Sequence, residues 1–574
     1  MRVDIKASEN MDRLIFTPRK WEDVGLIKRL LAKDHPDIRF KTSAEGLCVE
    51  ANDVAKLNLN EVGLDFSWSE LAERFLINRQ HTYKYFSAVI DEIKKLRNCG
   101  KELAEIHLKK INGLEILDDH QWVNVACMTI PEGFGLCVFD EQGAGKTVTL
   151  IYAFDVLVER DEVDFALIIA PKSMVSEWPV DFNTFMSDRY KVNILTGNQL
   201  EKRKVLSGKA DVIVTNFETA ISMEQELRAL LRKYGSRSIL VVDESFFIKN
   251  LDAKRTQSIR RLREYCGRAF VLCGTPAPNS PVDLIPQFNI VDFGMTFSGV
   301  NIPKNKNEAG EIIHRIIEER GPFVRHLKAD VMPDLLAKQF QRVNIPMQPQ
   351  QADLYRKTKE ALATDLREID DQTFERKKMS FFARRSALLQ ICSTPSSIDI
   401  ACEEVPGKIL ALDKILEDLI SKQGEKVILW SFYTASLDNI VSRYQKYNPV
   451  RYDGTVTEIT ARREAVRSFR EDVETMLFVG NPAAAGAGLN LQSARFAIYE
   501  SMSNQAAHYL QSLDRIHRRG QKNQVEYLIL LCDGTIEISE YNRLIEKEHS
   551  AQKILGDPTG ASLTREMMLA ELFL

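Results

Sequence analysis

The sequence lacks the features typical of secreted, zinc-binding or membrane-spanning chains. Its nine cysteines are scattered over 574 residues, with no C-x-x-C pair and no Cys/His cluster at zinc spacing, which favours reduced thiols in a cytosolic setting. No apolar run approaches the length needed to cross a bilayer, and the first residues carry no signal-peptide segment. No repeat or low-complexity tract is present. We therefore expect a soluble, cytoplasmic protein that does not bind membranes.

The sequence also lacks a strong excess of charge of either sign. Lysine and arginine total 77 against 81 acidic residues, for a net charge of −4. Such a balance gives no long-range attraction for phosphate, so any nucleic-acid binding must use local basic surfaces. A hydrophobic content of 44% is that of a globular protein. The length exceeds what one hydrophobic core supports, which predicts several domains.

One glycine-rich stretch, D-E-Q-G-A-G-K-T starting at Asp140, lies between an apolar run and a segment of helical periodicity. Gly143 and Gly145 allow the backbone N–H groups to surround a phosphate, and Lys146 adds a positive charge. Thr147 offers a hydroxyl to Mg²⁺. Asp140 stands where the full Walker pattern has its first glycine. The stretch predicts an ATP site, and the alternative is a glycine turn that caps an ordinary helix.

Two adjacent acids follow a later aliphatic run. The run S-I-L-V-V ends at Asp243 and Glu244. A similar β-branched run at 165–170 leads through a proline into a polar loop, and another at 211–216 repeats the arrangement. Strands alternating with helical stretches predict a doubly wound α/β lobe, whose ligand lies at the carboxyl ends of the strands. There, Asp243 is suited to hold Mg²⁺ and Glu244 to orient and deprotonate the attacking water.

Two weaker polar signals flank these motifs. Gln121 precedes the glycine-rich loop, and its amide has the acceptor and donor needed to read an adenine edge. By itself, a glutamine there is more often a polar surface residue. The turn that begins at Gly274 follows another apolar run and is placed to sense the γ-phosphate, although alone it is only a turn.

A second α/β lobe is predicted from apolar runs at 427–431, 475–479 and 496–499, with a glycine loop at 486–491. Gln511, Arg515 and Arg518 follow at spacing i, i+4 and i+7, which predicts one helical face with an amide and two guanidinium groups. Such a face is suited to stabilise charge on a γ-phosphate as arginine fingers do. The alternative is an exposed charged face.

The flanking and intervening segments are less informative. Residues 1 to about 110 predict a small α+β module, with a hairpin near Gly46 and helices over Ser67–Asn78 and Thr82–Arg97. Between the lobes, a mainly helical segment combines basic residues with phenylalanines near Phe381. This pattern suits a phosphate backbone, but an amphipathic helix with a solvated cationic face is the favoured explanation.

Taken together, these motifs resemble the SNF2 family of superfamily 2 ATPases, from about Leu117 to Ile545. The family's phosphate loop has the form D-E-x-G-x-G-K-T, which accounts for Asp140. The other matching blocks occur in the family's order: A-P-K-S at 170–173 with Trp178, D-E at 243–244 followed by I-K-N at 248–250, G-T-P at 274–276 with Asn279, G-x-G-L-N-L at 486–491, and D-R-I-H-R-R-G-Q at 514–521. The last block is close to diagnostic.

The chain departs from the family pattern at three places. Ser245 and Phe246 replace the usual small residue and histidine after the acids, Cys273 stands where threonine is usual, and Ala487 replaces a bulkier residue. None of these changes removes a group that binds phosphate, binds metal or activates water. We therefore expect hydrolysis to be retained, and we expect any effect of these changes to fall on the coupling of hydrolysis to DNA.

The resemblance implies an α/β fold class, with two RecA-like doubly wound lobes, helical SNF2-type insertions and a small N-terminal α+β domain. The expected divisions are an accessory domain at residues 1–110, an ATP-binding lobe at 111–295 and a helical insertion and linker region at 296–405. A second lobe of helicase C-terminal type is expected at 406–545 and a helical tail at 546–574. The segment between the lobes resembles insertions that strand-separating helicases lack.

The resemblance further implies a DNA-stimulated ATPase that uses ATP and Mg²⁺ to move along double-stranded DNA and to remodel or displace bound material. Lys172, Thr215 and Ser431 would then contact the DNA phosphate backbone, and residues 1–110 would be free to bind a protein partner. The compact size suggests a stand-alone bacterial or phage protein. The alternatives are a strand-separating or annealing helicase, or an ATP-gated DNA-sensing module of a defence or repair complex.

Overall fold

The computed structural model describes residues 2–59, 62–109, 111–277, 280–303, 305–456, 458–484, 489–503 and 506–553. These residues fall into two compact units, divided between Val331 and Met332. The first unit contains the N-terminal module and one parallel sheet, and the second contains another parallel sheet.

The N-terminal module is built on a five-stranded sheet with the order β3-β4-β2-β1-β5. Its strands are β1 Arg2–Ala7, β2 Arg13–Pro18, β3 Phe40–Ser43, β4 Gly46–Glu50 and β5 Asp65–Trp68. Strands β3 and β4 pair antiparallel with Ser43 opposite Gly46, so the hairpin expected around this glycine is present. The helices of this module are α1 Val24–Asp34, α2 Ala51–Val54, α3 Glu70–Cys99 and α4 Lys101–His107.

Helix α3 corrects one expectation. The sequence predicted two helices with a break near residues 79–81, whereas a single helix runs from Glu70 to Cys99. Arg79, between the two predicted ranges, lies on the buried face of the helix and pairs with Glu264 at 2.9 Å. Because the buried charge of Arg79 has a partner in Glu264, the helix can continue through this position.

The first unit's parallel sheet has the order β12-β6-β11-β10-β7-β9-β8. Its strands are β6 Gly135–Val138, β7 Phe165–Ala170, β8 Val192–Ile194, β9 Val212–Asn216, β10 Ser238–Asp243, β11 Arg268–Leu272 and β12 Phe323–Val324. The associated helices are α5 Asp119–Met128, α6 Lys146–Glu159, α7 Glu177–Met186, α8 Gln199–Ser207, α9 Phe217–Ser222, α10 Glu224–Tyr234, α11 Lys254–Arg263, α12 Ile285–Asp292, α13 Lys306–Arg320 and α14 Lys328–Val331.

The second unit's sheet is also parallel, with the order β13-β18-β17-β14-β16-β15. Its strands are β13 Gln339–Ile345, β14 Val427–Trp430, β15 Val450–Tyr452, β16 Leu477–Gly480, β17 Phe496–Tyr499 and β18 Glu526–Cys532. Its helices are α15 Pro349–Glu368, α16 Asp371–Ser393, α17 Gly407–Leu416, α18 Thr434–Arg443, α19 Ile459–Glu471, α20 Ala506–Leu513 and α21 Ile536–Lys553. The expected fold class, two parallel α/β lobes with a small N-terminal α+β domain, is confirmed.

The segment between the predicted lobes contributes to both sheets. Strand β12 pairs with β6 of the first sheet, and β13 pairs with β18 of the second. Helices α15 and α16 lie between β13 and α17 and pack on each other through buried residues such as Leu362 and Phe381. Within the part of the chain that the structure describes, no helix combines the length and apolar character that crossing a bilayer requires.

Candidate functional site

The first unit collects its candidate residues at one edge of its sheet. Strands β6, β11 and β10 are neighbours and run parallel. Their carboxyl ends therefore bring together the glycine-rich loop that follows β6, the Gly274 turn that follows β11, and the two acids at the end of β10. This is the position at which parallel α/β sheets bind ligands.

The glycine-rich loop is closed by its own lysine. Gly143 and Gly145 both have φ of 88°, a conformation that residues with a side chain rarely adopt. Lys146 is the first residue of α6, and its Nζ donates to the carbonyl oxygens of Asp140 at 2.9 Å and Glu141 at 3.3 Å. Thr147 follows in the first turn of the helix. The loop thus places an ammonium group at a helix N-terminus, an arrangement that attracts an anion.

Asp140 anchors this loop. Its side chain has no exposed surface and accepts hydrogen bonds from the Asn124 amide at 2.5 Å and from the His326 ring at 2.9 Å. Burial alone would raise the pKa of the Asp140 carboxyl, but the hydrogen bond and charge of His326, with smaller contributions from His120 and Lys146, lower it below the ordinary value. An aspartate therefore occupies the first glycine position of the Walker pattern because it fixes the loop through buried hydrogen bonds.

The partner segment of this anchor follows β12. The backbone N–H of Glu141 donates to the carbonyl of His326 at 2.9 Å, and the N–H of Lys328 donates to the Glu141 carboxylate at 2.8 Å. Sequence reasoning missed His326 because it lies 186 residues from Asp140, and the preceding strand has only two residues. A strand that short leaves no periodic signal.

The two acids differ in their surroundings. Asp243 is buried and accepts hydrogen bonds from the indole N–H of Trp178 at 3.2 Å and from the backbone N–H of Glu244 at 2.9 Å. Burial, together with the negative charge of Glu244, raises the pKa of Asp243 to about 7, while Lys146 opposes the shift. A buried carboxylate with a raised pKa at this edge is favoured to ionise when a cation is bound beside it.

Glu244 has an unusual backbone conformation. Its φ is 49° and its ψ is 56°, in the left-handed region that residues with a side chain seldom occupy. Its carboxylate accepts a hydrogen bond from the side-chain amide of Gln142 at 3.0 Å, and the Cys273 thiol lies 4.0 Å from its other oxygen. Backbone strain of this kind concentrates at functional sites. Sequence reasoning did not single out Gln142, since it stands at a variable position of the loop motif.

Gln121, the predicted adenine reader, is engaged locally. Its side chain is buried, its Oε1 accepts from the backbone N–H of Asp118 at 2.9 Å, and its Nε2 donates to the carbonyl of Gly145 at 3.5 Å. The neighbouring His120 donates to the carbonyl of Ala144 at 2.8 Å. Helix α5 therefore braces the glycine-rich loop. Adenine recognition by Gln121 stays a prediction, and it requires the amide to exchange these contacts.

In the second unit, the predicted helical face is not formed. Helix α20 ends at Leu513, so Gln511 lies on the helix while Arg515 and Arg518 follow in turns. The prediction of one i, i+4, i+7 face was wrong because the helix stops after two turns. The guanidinium of Arg518 donates to the carbonyl of Asp514 at 2.7 Å, a contact that the turn makes possible. Both Gln511 and Arg515 are buried.

The turn that carries these arginines is fixed to other parts of the second unit. The Asp514 carboxylate pairs with Lys338 at 3.1 Å, and the His517 ring donates to the carbonyl of Leu336 at 2.9 Å. The backbone N–H of Leu491 donates to the carbonyl of Arg515 at 3.1 Å. Neither Leu336 nor Lys338 was expected from the sequence, because they immediately precede the unpredicted strand β13.

The three residues expected to contact DNA differ in exposure. Lys172 is exposed, whereas Thr215 and Ser431 have no exposed surface. The Thr215 hydroxyl donates to the carbonyl of Leu195 at 3.3 Å, and the Ser431 hydroxyl donates to the Glu500 carboxylate at 2.8 Å. Both hydroxyls therefore stabilise their own lobes in this conformation. Asn279 and residues 485–488, which include Gly486, Ala487 and Gly488, lie outside the described residues.

Comparison with protein families assigns most of the chain. Residues 72–397 match the family described as the SNF2-related domain. Residues 407–520 match the family described as the helicase conserved C-terminal domain. The first match begins within α3, and the second ends just after the turn that contains Arg515 and Arg518. The two matches thus contain all the candidate residues of both units.

Two curated relatives illustrate the similarity. The chain is 27% identical over 450 residues to the ISWI chromatin-remodeling complex ATPase ISW1 of Saccharomyces cerevisiae, covering 72% of this chain and 38% of that protein. It is 26% identical over 507 residues to the SWI/SNF-related matrix-associated actin-dependent regulator of chromatin subfamily A containing DEAD/H box 1 of Xenopus tropicalis, covering 75% and 50%. The aligned part spans half or less of these relatives.

One solved structure is also similar to this chain. The Sulfolobus solfataricus SWI2/SNF2 ATPase core in complex with dsDNA is 21% identical, with a TM-score of 0.36, and the match covers 80% of this chain and all of that one.

Proposed function

Because this chain belongs to the SNF2 family of superfamily 2 ATPases, we propose that it hydrolyses ATP in order to move along double-stranded DNA and to remodel or displace bound material. The observation that carries the proposal is that Lys146, Asp243 and Glu244 lie at the same edge of one sheet. The matches to the SNF2-related domain and the helicase C-terminal domain support it. The relatives named as chromatin-remodeling ATPases support DNA as the track.

The residues at this edge fit ATP and Mg²⁺. The loop has two glycines with positive φ, a helix N-terminus and the Lys146 ammonium, which suit the β- and γ-phosphates. Thr147 and Asp243 would hold Mg²⁺, since hydroxyl and carboxylate oxygens are the ligands it prefers. The bound ion supplies charge stabilisation at the phosphates. Lys146 must leave the Asp140 and Glu141 carbonyls to contact a phosphate, which couples loop opening to nucleotide binding.

In this mechanism Glu244 orients the attacking water and accepts its proton. Its buried carboxylate stands beside Asp243 at the end of β10, where the backbone is strained. Positioning and electrostatic stabilisation supply most of the catalysis in phosphoryl transfer, so a displaced Glu244 carboxylate should slow hydrolysis strongly.

The proposal assigns further roles to residues of both lobes. Arg515 and Arg518 stabilise the charge that develops on the transferred phosphoryl group, and Gln511 supports them, as the family resemblance implies. Gln121 reads the adenine edge. Lys172 contacts the DNA backbone, with Thr215 and Ser431 as candidates that must first become accessible. The N-terminal module, residues 1–110, offers a surface for a protein partner.

The test is ATP turnover by the purified chain without nucleic acid and with double-stranded DNA, single-stranded DNA, forked DNA or RNA, using Lys146→Ala as the blank. The expected result is strong stimulation by plain duplex. Displacement of a triplex-forming strand from duplex DNA then measures translocation directly. Stimulation confined to forks, single strands or RNA, or ATP-dependent DNA binding without turnover, would overturn the translocase proposal.

A further inference from the structure

Gln142 connects the phosphate loop to the water-activating acid. It lies between Glu141 and Gly143 in the loop, and its side-chain Nε2 is 3.0 Å from Oε1 of Glu244. An ionised carboxylate only accepts hydrogen bonds, so the NH₂ end of the amide must face it. A hydrogen bond to a charged acceptor is stronger and better directed than one between neutral groups. The amide is therefore a strong local constraint on the Glu244 carboxylate.

The other neighbour of this carboxylate exerts a weaker constraint. The Cys273 Sγ lies 4.0 Å from Oε2 of Glu244, and a thiol is a weak donor. Burial raises the pKa of Cys273 to about 12, so the group stays a neutral thiol. Meanwhile, Glu244 is 3% exposed, so water has little access to replace a missing donor. Loss of the Gln142 amide would thus leave the carboxylate poorly oriented.

Gln142 also contacts the turn that follows β11. A Cβ atom added at Gly274 would lie 2.5 Å from Oε1 of Gln142 and 3.0 Å from its backbone nitrogen. The glycine is therefore packed directly against Gln142, on a turn whose movement would displace the amide. A shift of this turn would therefore move the Gln142 side chain and, through its hydrogen bond, the Glu244 carboxylate.

A second polar bridge fixes the same turn to the acid strand. The hydroxyl of Ser245, the residue after Glu244, donates to Oε1 of Gln287 at 2.5 Å, and Nε2 of Gln287 donates to the carbonyl of Pro276 at 2.6 Å. Ser245 and Gln287 are both fully buried. Gln287 thus connects the turn at Pro276 to the acid strand, while Gly274 at the other end of the turn packs against Gln142.

We propose that Gln142 is a positioning residue, whose amide orients the Glu244 carboxylate for water activation and couples it to the Gly274–Pro276 turn. This role rests on the proposed ATPase function and deepens it. Gln142 does not hold the nucleotide in this scheme. Its loss should reduce the rate of the chemical step and leave nucleotide affinity unchanged.

The test compares Gln142→Met, which keeps the side-chain length but removes the donor, with Gln142→Asn, whose amide is too short to reach Glu244. Gln199→Met, on the exposed start of α8, is the matched control. We expect both Gln142 variants to lower kcat about tenfold or more, the effect of losing a hydrogen bond to a charged group. The KM for ATP and the affinity for a fluorescent ATP analogue should stay within about twofold.

A double-mutant cycle separates positioning from general damage. In a Glu244→Gln background there is no carboxylate to orient, so Gln142→Met should reduce the residual rate by less than about twofold. Equal thermal melting temperatures of the variants establish that they fold. If Gln142→Met does not fold, Gln142→Asn takes its place in the cycle. Unchanged kcat, a matching loss of nucleotide affinity, or a full additional loss in the double variant would overturn the role. Wild-type protein that fails to hydrolyse ATP would instead refute the proposed function.

Discussion

Arg79 and Glu264 form an ion pair of 2.9 Å in which both side chains are almost completely buried. Arg79 lies on α3, and Glu264 follows α11 of the first lobe, 185 residues away. The Asn78 amide donates to the same Glu264 carboxylate at 2.8 Å. Helix α3 is thereby fixed to the first lobe through a desolvated charge pair.

We predict that Glu264→Ala destabilises the protein by about 3–5 kcal/mol, because it leaves the Arg79 guanidinium buried without its partner charge. Chemical denaturation monitored by circular dichroism measures this loss. Glu70→Ala is the control, since it removes an exposed pair with Arg232 that also connects α3 to the first lobe. The control should show a much smaller loss, as exposed pairs contribute little. Equal losses would contradict a special role for burial.

Two variants of the candidate site should separate binding from hydrolysis. Lys146→Ala removes the ammonium that would contact the phosphates, so we expect loss of both ATP binding and turnover. Glu244→Gln keeps the shape of the side chain but cannot accept a proton, so ATP binding should persist while kcat falls about a hundredfold or more. Equilibrium binding of a fluorescent ATP analogue and steady-state turnover check both. Wild-type turnover by Glu244→Gln would refute its assignment.

Asp243 should make the stability of the Mg²⁺-free protein depend on pH. Its pKa is about 7 in the folded protein, above the value of about 4 expected in the unfolded chain. Between these values the folded state binds more protons, so stability falls as pH rises through this window. Asp243→Asn abolishes this loss, so its stability relative to wild type should rise between pH 5 and pH 8. Thermal melting over this range checks the slope, and a constant difference would contradict it.

Lys172 is the accessible member of the predicted DNA contacts. If it neutralises a phosphate, Lys172→Ala should weaken duplex binding for all sequences and reduce the salt dependence of log K by about one unit. Fluorescence anisotropy with a labelled duplex at several salt concentrations measures both effects. Lys204→Ala, on the exposed face of α8, is the matched control. An unchanged salt slope in Lys172→Ala would exclude the contact.

The buried hydroxyls of Thr215 and Ser431 should not affect the salt dependence of duplex binding unless the lobes rearrange. Thr215→Val and Ser431→Ala remove hydrogen bonds within their own lobes, to Leu195 and Glu500. Each change should lower stability by about 1 kcal/mol, while the salt dependence of duplex binding stays that of wild type. A reduced salt slope in either variant would indicate that the hydroxyl becomes accessible on DNA.

The sequence by itself determined the strands that form the centre of both sheets. Runs such as Phe165–Ala170 and Phe496–Tyr499 are apolar on both faces, as strands buried between helices must be, and polar segments follow them. The phosphate loop was equally readable because its glycines, lysine and threonine are consecutive. These signals are local, because each can be recognised from neighbouring residues without knowing which distant segments contact them.

Edge strands and the helix of the N-terminal module required the tertiary structure. Strand β13 carries mostly exposed residues, and β12 has two residues in all, so neither has the kind of apolar run from which strands such as β7 and β17 were predicted. The sequence predicted two helices where α3 is continuous, and the buried Arg79 between the two predicted ranges is compatible with one helix because Glu264 compensates its charge. Partners that distant leave no trace in local periodicity.

Only the tertiary structure decided how the site is supported. His326 anchors Asp140, which lies 186 residues away in the sequence. Gln142 contacts Glu244, which lies 102 residues away. Helix α20 ends at Leu513, so Arg515 and Arg518 lie in a turn held by Leu336 and Lys338 rather than on a helical face. The chemistry-bearing side chains are chosen by local motifs, whereas their positions depend on hydrogen bonds between segments that meet only when the sheets are assembled.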